Sequence, residues 1–151
     1  DYIASSFNNI LLLVSRQQQN GENYTVTIPE EIEIAFSYFN ENYNKKISVA
    51  QYAESLHIST NWFIRNFKQH MKMSPAQYLL SLRMVNAQSL LENTDYSVGE
   101  IAEIVGYDNQ LYFSRVFKKE YGISPAQYRK RAENQSAAPM EADVGEITRE
   151  D

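Results

Sequence analysis

Apolar residues along the chain return every three or four positions, the period of helices with one buried face. Near the start, Ile3, Phe7, Ile10 and Val14 step by four, three and four, which predicts a helix over 2–18 with a two-heptad seam. That seam suits packing within its own domain, a dimer contact, or the last helix of a domain lying upstream. Arg16 to Gly21 is polar, with three consecutive glutamines, and reads as a linker. Asn23 to Ile28 alternates weakly, but so short a run does not make a sheet alone. Pro29, Glu30 and Glu31 mark a helix start, with proline in the first turn and acids at the positive end of the dipole. Ile32, Ala35, Phe36 and Phe39 share one face of that helix, which runs to about Tyr43.

From Ser48 onward the helix starts are marked. Ser48-Val-Ala-Gln51, Ser74-Pro-Ala-Gln77, Ser97-Val-Gly-Glu100 and Ser124-Pro-Ala-Gln127 all fit a capping box. In each, a hydroxyl can accept from the third amide of the helix, and a Gln or Glu can reach back. Pro75 and Pro125 add the residue best suited to the first helical position. The strand signal after Ser48 is negligible, so the expected fold class is all-α. Beyond Arg131 the periodic apolar residues stop. Pro139, Gly145 and scattered acids predict a frayed helix followed by a disordered, acidic tail over 132–151.

The chain repeats itself. Ser74-Pro-Ala-Gln-Tyr78 returns 50 residues later as Ser124-Pro-Ala-Gln-Tyr128. Phe63, Arg65 and Phe67-Lys68 return as Phe113, Arg115 and Phe117-Lys118 at the same spacing. Ser48-Val49 and Ala53-Glu54 return only 49 residues on, as Ser97-Val98 and Ala102-Glu103. The second copy therefore holds one extra residue between Glu103 and Phe113. Each copy reads as a short helix, a turn, a longer helix and a connecting helix.

Copy two follows helix-turn-helix arithmetic. Ala102 is the small residue where helices cross, Gly106 the turn residue free to take positive φ, and Asn109–Glu120 the second helix with Phe113, Val116 and Phe117 inward. Copy one has Ala53 at the crossing, Thr60–His70 as second helix, and Phe63 and Phe67 inward. Its turn residue is His57, which tolerates left-handed φ less well than glycine and predicts a strained or altered turn. A turn role for His57 outweighs a ligand role.

Whole-chain charge is -5, which by itself argues against a nucleic-acid partner. Its distribution reverses that reading. Residues 45–131 hold twelve Lys and Arg against seven Asp and Glu, whereas the segments on either side each hold one basic and six acidic residues. A basic centre lies between two acidic flanks. There is no cysteine, which leaves a disulfide framework and a thiolate nucleophile without residues, and with only His57 and His70 a structural zinc site is not expected. No cofactor and no metal are expected. Scattered acids and two separated histidines offer no nucleophile–base–orienter set, and no Gly-rich phosphate loop occurs, so an enzyme is not expected. The absence of cysteine fits a reducing cytoplasm. No membrane-length apolar run occurs. The chain opens on Asp1 without a signal-peptide pattern and reads as a piece of something longer.

Burying the Phe pairs turns Gln110, Leu111, Ser114, Arg115 and Lys118 outward in copy two, and Asn61, Ile64, Arg65, Lys68 and Gln69 outward in copy one. Asn, Gln and Arg can read base edges bidentately in a major groove, and the first turns of a recognition helix lie deepest there. Lys68, Lys72, Lys118 and Lys119 come later and suit phosphates. A solvated polar face is the plainer explanation of one such helix; its occurrence in two copies in register weakens it.

These residues resemble the DNA-binding domain of AraC/XylS-type bacterial transcriptional regulators. The resemblance rests on Ile101-Ala-Glu-Ile-Val-Gly-Tyr107, Tyr112-Phe-Ser-Arg-Val-Phe-Lys-Lys119 and Tyr121-Gly-Ile-Ser-Pro-Ala-Gln-Tyr-Arg129. It covers Ser48 to Arg131. It implies seven helices, two helix-turn-helix units and a rigid connecting helix over about Pro75 to Glu92. It implies base reading by Asn61, Ile64 and Arg65 in copy one, and by Gln110, Leu111, Tyr112 and Arg115 in copy two. Ser59, Thr60 and Asn109, with the four lysines, form the phosphate set. Ile64 is a poor base reader, and Leu111 and Tyr112 suit apolar contacts. The domains expected are 1–28 as helix and linker from an upstream region, 29–131 as the double helix-turn-helix domain, and 132–151 as tail. The resemblance further implies sequence-specific binding of double-stranded DNA at an asymmetric promoter site and activation through RNA polymerase. A homodimer through residues 2–18 or an upstream domain is the remaining partner expectation. The alternative is a helical protein-interaction module that uses the same exposed faces.

Overall fold

The computed structural model describes residues 27–138. The expected helix over 2–18, its linker and most of the acidic tail lie outside these residues. Seven helices follow in order: α1 Glu30–Asn42, α2 Val49–Ser55, α3 Thr60–Met71, α4 Pro75–Asn93, α5 Val98–Ile104, α6 Gln110–Tyr121 and α7 Pro125–Ser136. No strand occurs among the described residues, as the sequence pattern predicts.

From α2 onward every helix start is capped by a serine or asparagine side chain, whereas α1 begins at Pro29 without one. Ser74, Ser97 and Ser124 each form the full reciprocal capping box. Ser48 forms only half: its hydroxyl accepts from the Gln51 amide at 3.3 Å. The Glu100 carboxylate accepts from the Ser97 amide at 2.7 Å, and these hydrogen bonds hold it below the usual carboxylate range. Each full box contributes on the order of 1 kcal/mol by satisfying amides that the helix leaves without partners.

Two aromatic cores form, and α4 belongs to both. Ile32, Ala35, Phe39, Ala53, Phe63, Phe67 and Met71 bury the first core against Tyr78, Leu79 and Leu82 of α4. Ile101, Ala102, Val105, Tyr107, Phe113 and Phe117 bury the second against Met84, Ala87 and Leu91. The 19-residue α4 spans about 28 Å at the helical rise. Trp62 is half-buried against the first core.

The repeated tyrosine is tied in both copies, but to different partners. The Tyr78 hydroxyl accepts from Asn40 Nδ2 at 2.7 Å. Its repeat equivalent, Tyr128, bonds Gln88 and Glu92 on α4. Arg129 donates to the carbonyls of Leu91, Thr94 and Tyr96, holding the α4–α5 loop.

The turns also match. His57 takes φ 58° and Gly106 takes φ 97°. In each, the next amide reaches back to the crossing alanine: Ile58 to Ala53 at 3.1 Å, Tyr107 to Ala102 at 2.8 Å. The turn of copy one is therefore not altered; histidine adopts the left-handed conformation there. The pairing recurs at the second helix ends, where Lys72 (φ 62°) and Gly122 (φ 80°) close α3 and α6. The extra residue of copy two falls inside its turn. Ile58 is followed directly by the cap Ser59, whereas Tyr107 is followed by Asp108 and then the cap Asn109.

Two predictions follow from the turns and the buried tyrosines. A Cβ at Gly106 would lie 2.8 Å from the Asn44 carbonyl oxygen at a φ that L-residues avoid. Gly106→Ala should therefore destabilise by at least about 1–3 kcal/mol. His57→Gly should stay within about 1 kcal/mol of wild type, because relief of left-handed strain offsets the freer unfolded chain. Urea unfolding of both variants checks this; equal losses would refute it.

Burial pushes Tyr78, Tyr121 and Tyr128 up to about 12, from about 10 in the unfolded chain. The fold favours the neutral phenols. Their stabilisation is complete below about pH 10 and is lost as pH rises through about 12. The urea midpoint should hold to about pH 9 and fall above about 10. A midpoint unchanged to about pH 11.5 would refute the assignment.

Candidate nucleic-acid interface

The candidate surface is built on α3 and α6, two helices of 12 residues each. Phe63 and Phe67 anchor α3, and Phe113 and Phe117 anchor α6; all four are fully buried. With those side chains inward, the 3.6-residue period fixes what points out. Asn61, Ile64, Arg65 and Lys68 are exposed on α3. Gln110, Leu111, Tyr112, Arg115, Lys118 and Lys119 are exposed on α6. Thr60 is half-buried, and Lys72 is exposed at the end of α3.

Apolar exposure is uneven between the two. Ile64 is 37% exposed, whereas Leu111 and Tyr112 are 71% and 59% exposed. Leaving two adjacent large apolar side chains in water at the start of α6 costs free energy that a partner surface would recover. Val116 is half-buried and packs against the second core.

Both helices start on a side-chain cap. Ser59 Oγ accepts from the Trp62 amide at 3.1 Å, and Asn109 Oδ1 accepts from the Tyr112 amide at 3.0 Å. The capping-box pattern passes over both, because Trp62 and Tyr112 stand where a Gln or Glu would be. The signal that finds them is simpler: a Ser or Asn directly before the apolar period begins. Each cap uses an oxygen and leaves a donor free, the Ser59 hydroxyl proton and the Asn109 Nδ2.

Gln110 carries a constraint that the sequence pattern does not show. Its Oε1 lies 2.8 Å from where a Cβ on Gly99 would stand. The amide folds back over α5 into space that exists because position 99 has no side chain.

Basic residues fall in the last turn of each helix, Lys68 and His70 in α3 and Lys118 and Lys119 in α6, where the dipole favours positive charge. Among the described residues, Arg65, Lys68, Arg115, Lys118 and Lys119 form no ion pair; the ion pair found there joins Lys46 to Asp108. Their charge is uncompensated and available to an anionic partner. Among the same residues no cluster of His, Asp or Glu could hold a metal ion, and no helix is long and apolar enough to cross a membrane.

Sequence and structure comparisons agree on relatives. A helix-turn-helix domain family matches residues 52–131. The HTH-type transcriptional activator RhaR of Mannheimia succiniciproducens is 37% identical over 125 residues, which are 83% of this chain and 45% of that protein. The chain thus spans less than half the length of that relative. The C-terminal domain of AraT, a response regulator from Geobacillus stearothermophilus, is 32% identical with a TM-score of 0.66, over 81% of this chain and 96% of that one. The DNA-binding domain of the global transcriptional factor AdpA, solved in complex with a target DNA, is 28% identical with a TM-score of 0.67, over 72% of this chain and 98% of that one.

Proposed function

Because the chain belongs to the helix-turn-helix family of AraC-type transcriptional regulators, we propose that it binds double-stranded DNA in a sequence-specific manner. In this reading α3 and α6 enter successive major grooves, about 34 Å apart along the duplex. The observation that carries the reading is the paired construction of α3 and α6. Both are capped, anchored by a Phe pair and unpaired in charge, and both are tied to a single helix. One chain then reads an asymmetric site, with no need for a palindrome. Any mismatch between protein and groove spacing is taken up by DNA bending, at about 1–6 kcal/mol.

The proposed roles follow chemistry and position. Asn61, Arg65, Gln110 and Arg115 carry donors suited to base edges. Ile64, Leu111 and Tyr112 suit the thymine methyl and other apolar groove surface. Ser59, Thr60 and Asn109 at the helix starts, and Lys68, Lys72, Lys118 and Lys119 at the ends, suit phosphates. The proposal extends to a regulator acting near a promoter in the cytoplasm, with RNA polymerase as a partner and a dimer contact on residues 2–18 or upstream. The exposed Leu111 and Tyr112 favour a second reading, a protein-interaction module without DNA. Selection of bound duplexes from a random pool separates the two. An asymmetric motif of two boxes supports the first, and no salt-dependent DNA affinity supports the second.

Arg115→Ala should cost about 1–3 kcal/mol on the selected site and relax its specificity. Equal loss on selected and random DNA would remove the base-reading role. Lys118→Ala should weaken all DNA alike and reduce the salt slope by about one. An unchanged slope would exclude a phosphate contact.

A further inference from the structure

Arg83 stands on α4 between Leu82 of the first core and Met84 of the second. Its Nε donates to the Tyr43 carbonyl at 2.7 Å and its Nη2 to the Lys45 carbonyl at 2.8 Å. Its guanidinium carbon lies 5.2 Å from the centre of the Tyr107 ring. One side chain thus holds the α1–α2 loop and faces the turn of the second helix-turn-helix unit.

Loop and turn also meet directly. A Cβ on Gly106 would stand 2.8 Å from the Asn44 carbonyl oxygen, so the two backbones approach as closely as glycine permits. Lys46 Nζ lies 2.6 Å from Asp108 Oδ2. Tyr43 packs against both cores. Asp108 is the residue by which the second turn exceeds the first, so the single-residue departure from the repeat falls at the contact between its halves.

We propose that Arg83 is a positioning residue that fixes the placement of α6 relative to α3, and so sets the base-pair spacing between the two boxes read. The inference rests on the DNA reading above. Without the loop contact, α5 and α6 hang on the second half of α4 and can pivot about it. The contact supplies a second point of attachment, immediately before Asn109, the cap of α6. Arginine suits the role because its planar fork can bridge two carbonyls while its face lies on an aromatic ring; lysine has a single point charge and cannot do both. The exposed Lys46–Asp108 pair is a minor partner in water.

The test uses the 151-residue chain and duplexes carrying the motif that the wild-type chain selects from a random pool, rebuilt with one or two base pairs inserted or removed between its boxes. Wild type should lose at least tenfold in affinity on each altered spacing. Arg83→Ala should lose less than threefold, while single-box duplexes bind both proteins alike. Arg83→Lys should fall on the Ala side, and it replaces that variant if Arg83→Ala does not fold. Parallel spacing profiles for wild type and variant overturn the inference while leaving the DNA reading intact. No selected motif for the wild type overturns the DNA reading itself, and the inference with it.

Discussion

Everything in this domain depends on α4 being buried by two cores at once. Its first half gives Tyr78, Leu79 and Leu82 to one core, and its second half gives Met84, Ala87 and Leu91 to the other. A helix that serves neighbours on more than one side has no single apolar stripe. Because both cores close on one continuous helix, α3 and α6 are packed against the same element. The phenylalanine pairs then turn the polar faces of α3 and α6 outward.

The two halves solve the same problems with different residues. Left-handed positions close the turn and the second helix in each copy, filled by His57 and Lys72 in the first and by Gly106 and Gly122 in the second. At Gly106 the choice is forced by the Asn44 backbone; at Gly122 nothing lies within 4 Å, and the positive φ alone favours glycine. Arg83 and Arg129 each gather the carbonyls at the end of a preceding helix. They occupy different places along α4 and α7, so this likeness is one of task and not of descent within the repeat.

Much of the fold was legible in the sequence because its marks are local. Ser74 and Ser124 announce their helices within four residues, and the 50-residue repeat lets each copy check the other. The outward faces of α3 and α6 follow from period alone once Phe63, Phe67, Phe113 and Phe117 are taken as core. Arg83 was not legible. Its acceptors are backbone carbonyls some 40 residues away, which no residue type advertises. The lean of Gln110 over Gly99 is hidden for a similar reason: it is a relation between two helices. The repeat did show that an extra residue existed, but the hydrogen bonds from Ile58 and Tyr107 and the caps at Ser59 and Asn109 together place it at Asp108.

The docking of the α1–α2 loop on the second turn carries a kinetic consequence. Asn44 and Gly106 are about sixty residues apart, so their meeting closes a long loop. The capped helices and their hairpins form through neighbours in sequence and belong to the early part of folding. A few hydrogen bonds and one backbone contact repay the long closure only after both cores exist. The entropy of that closure therefore favours docking this junction after the cores rather than before them.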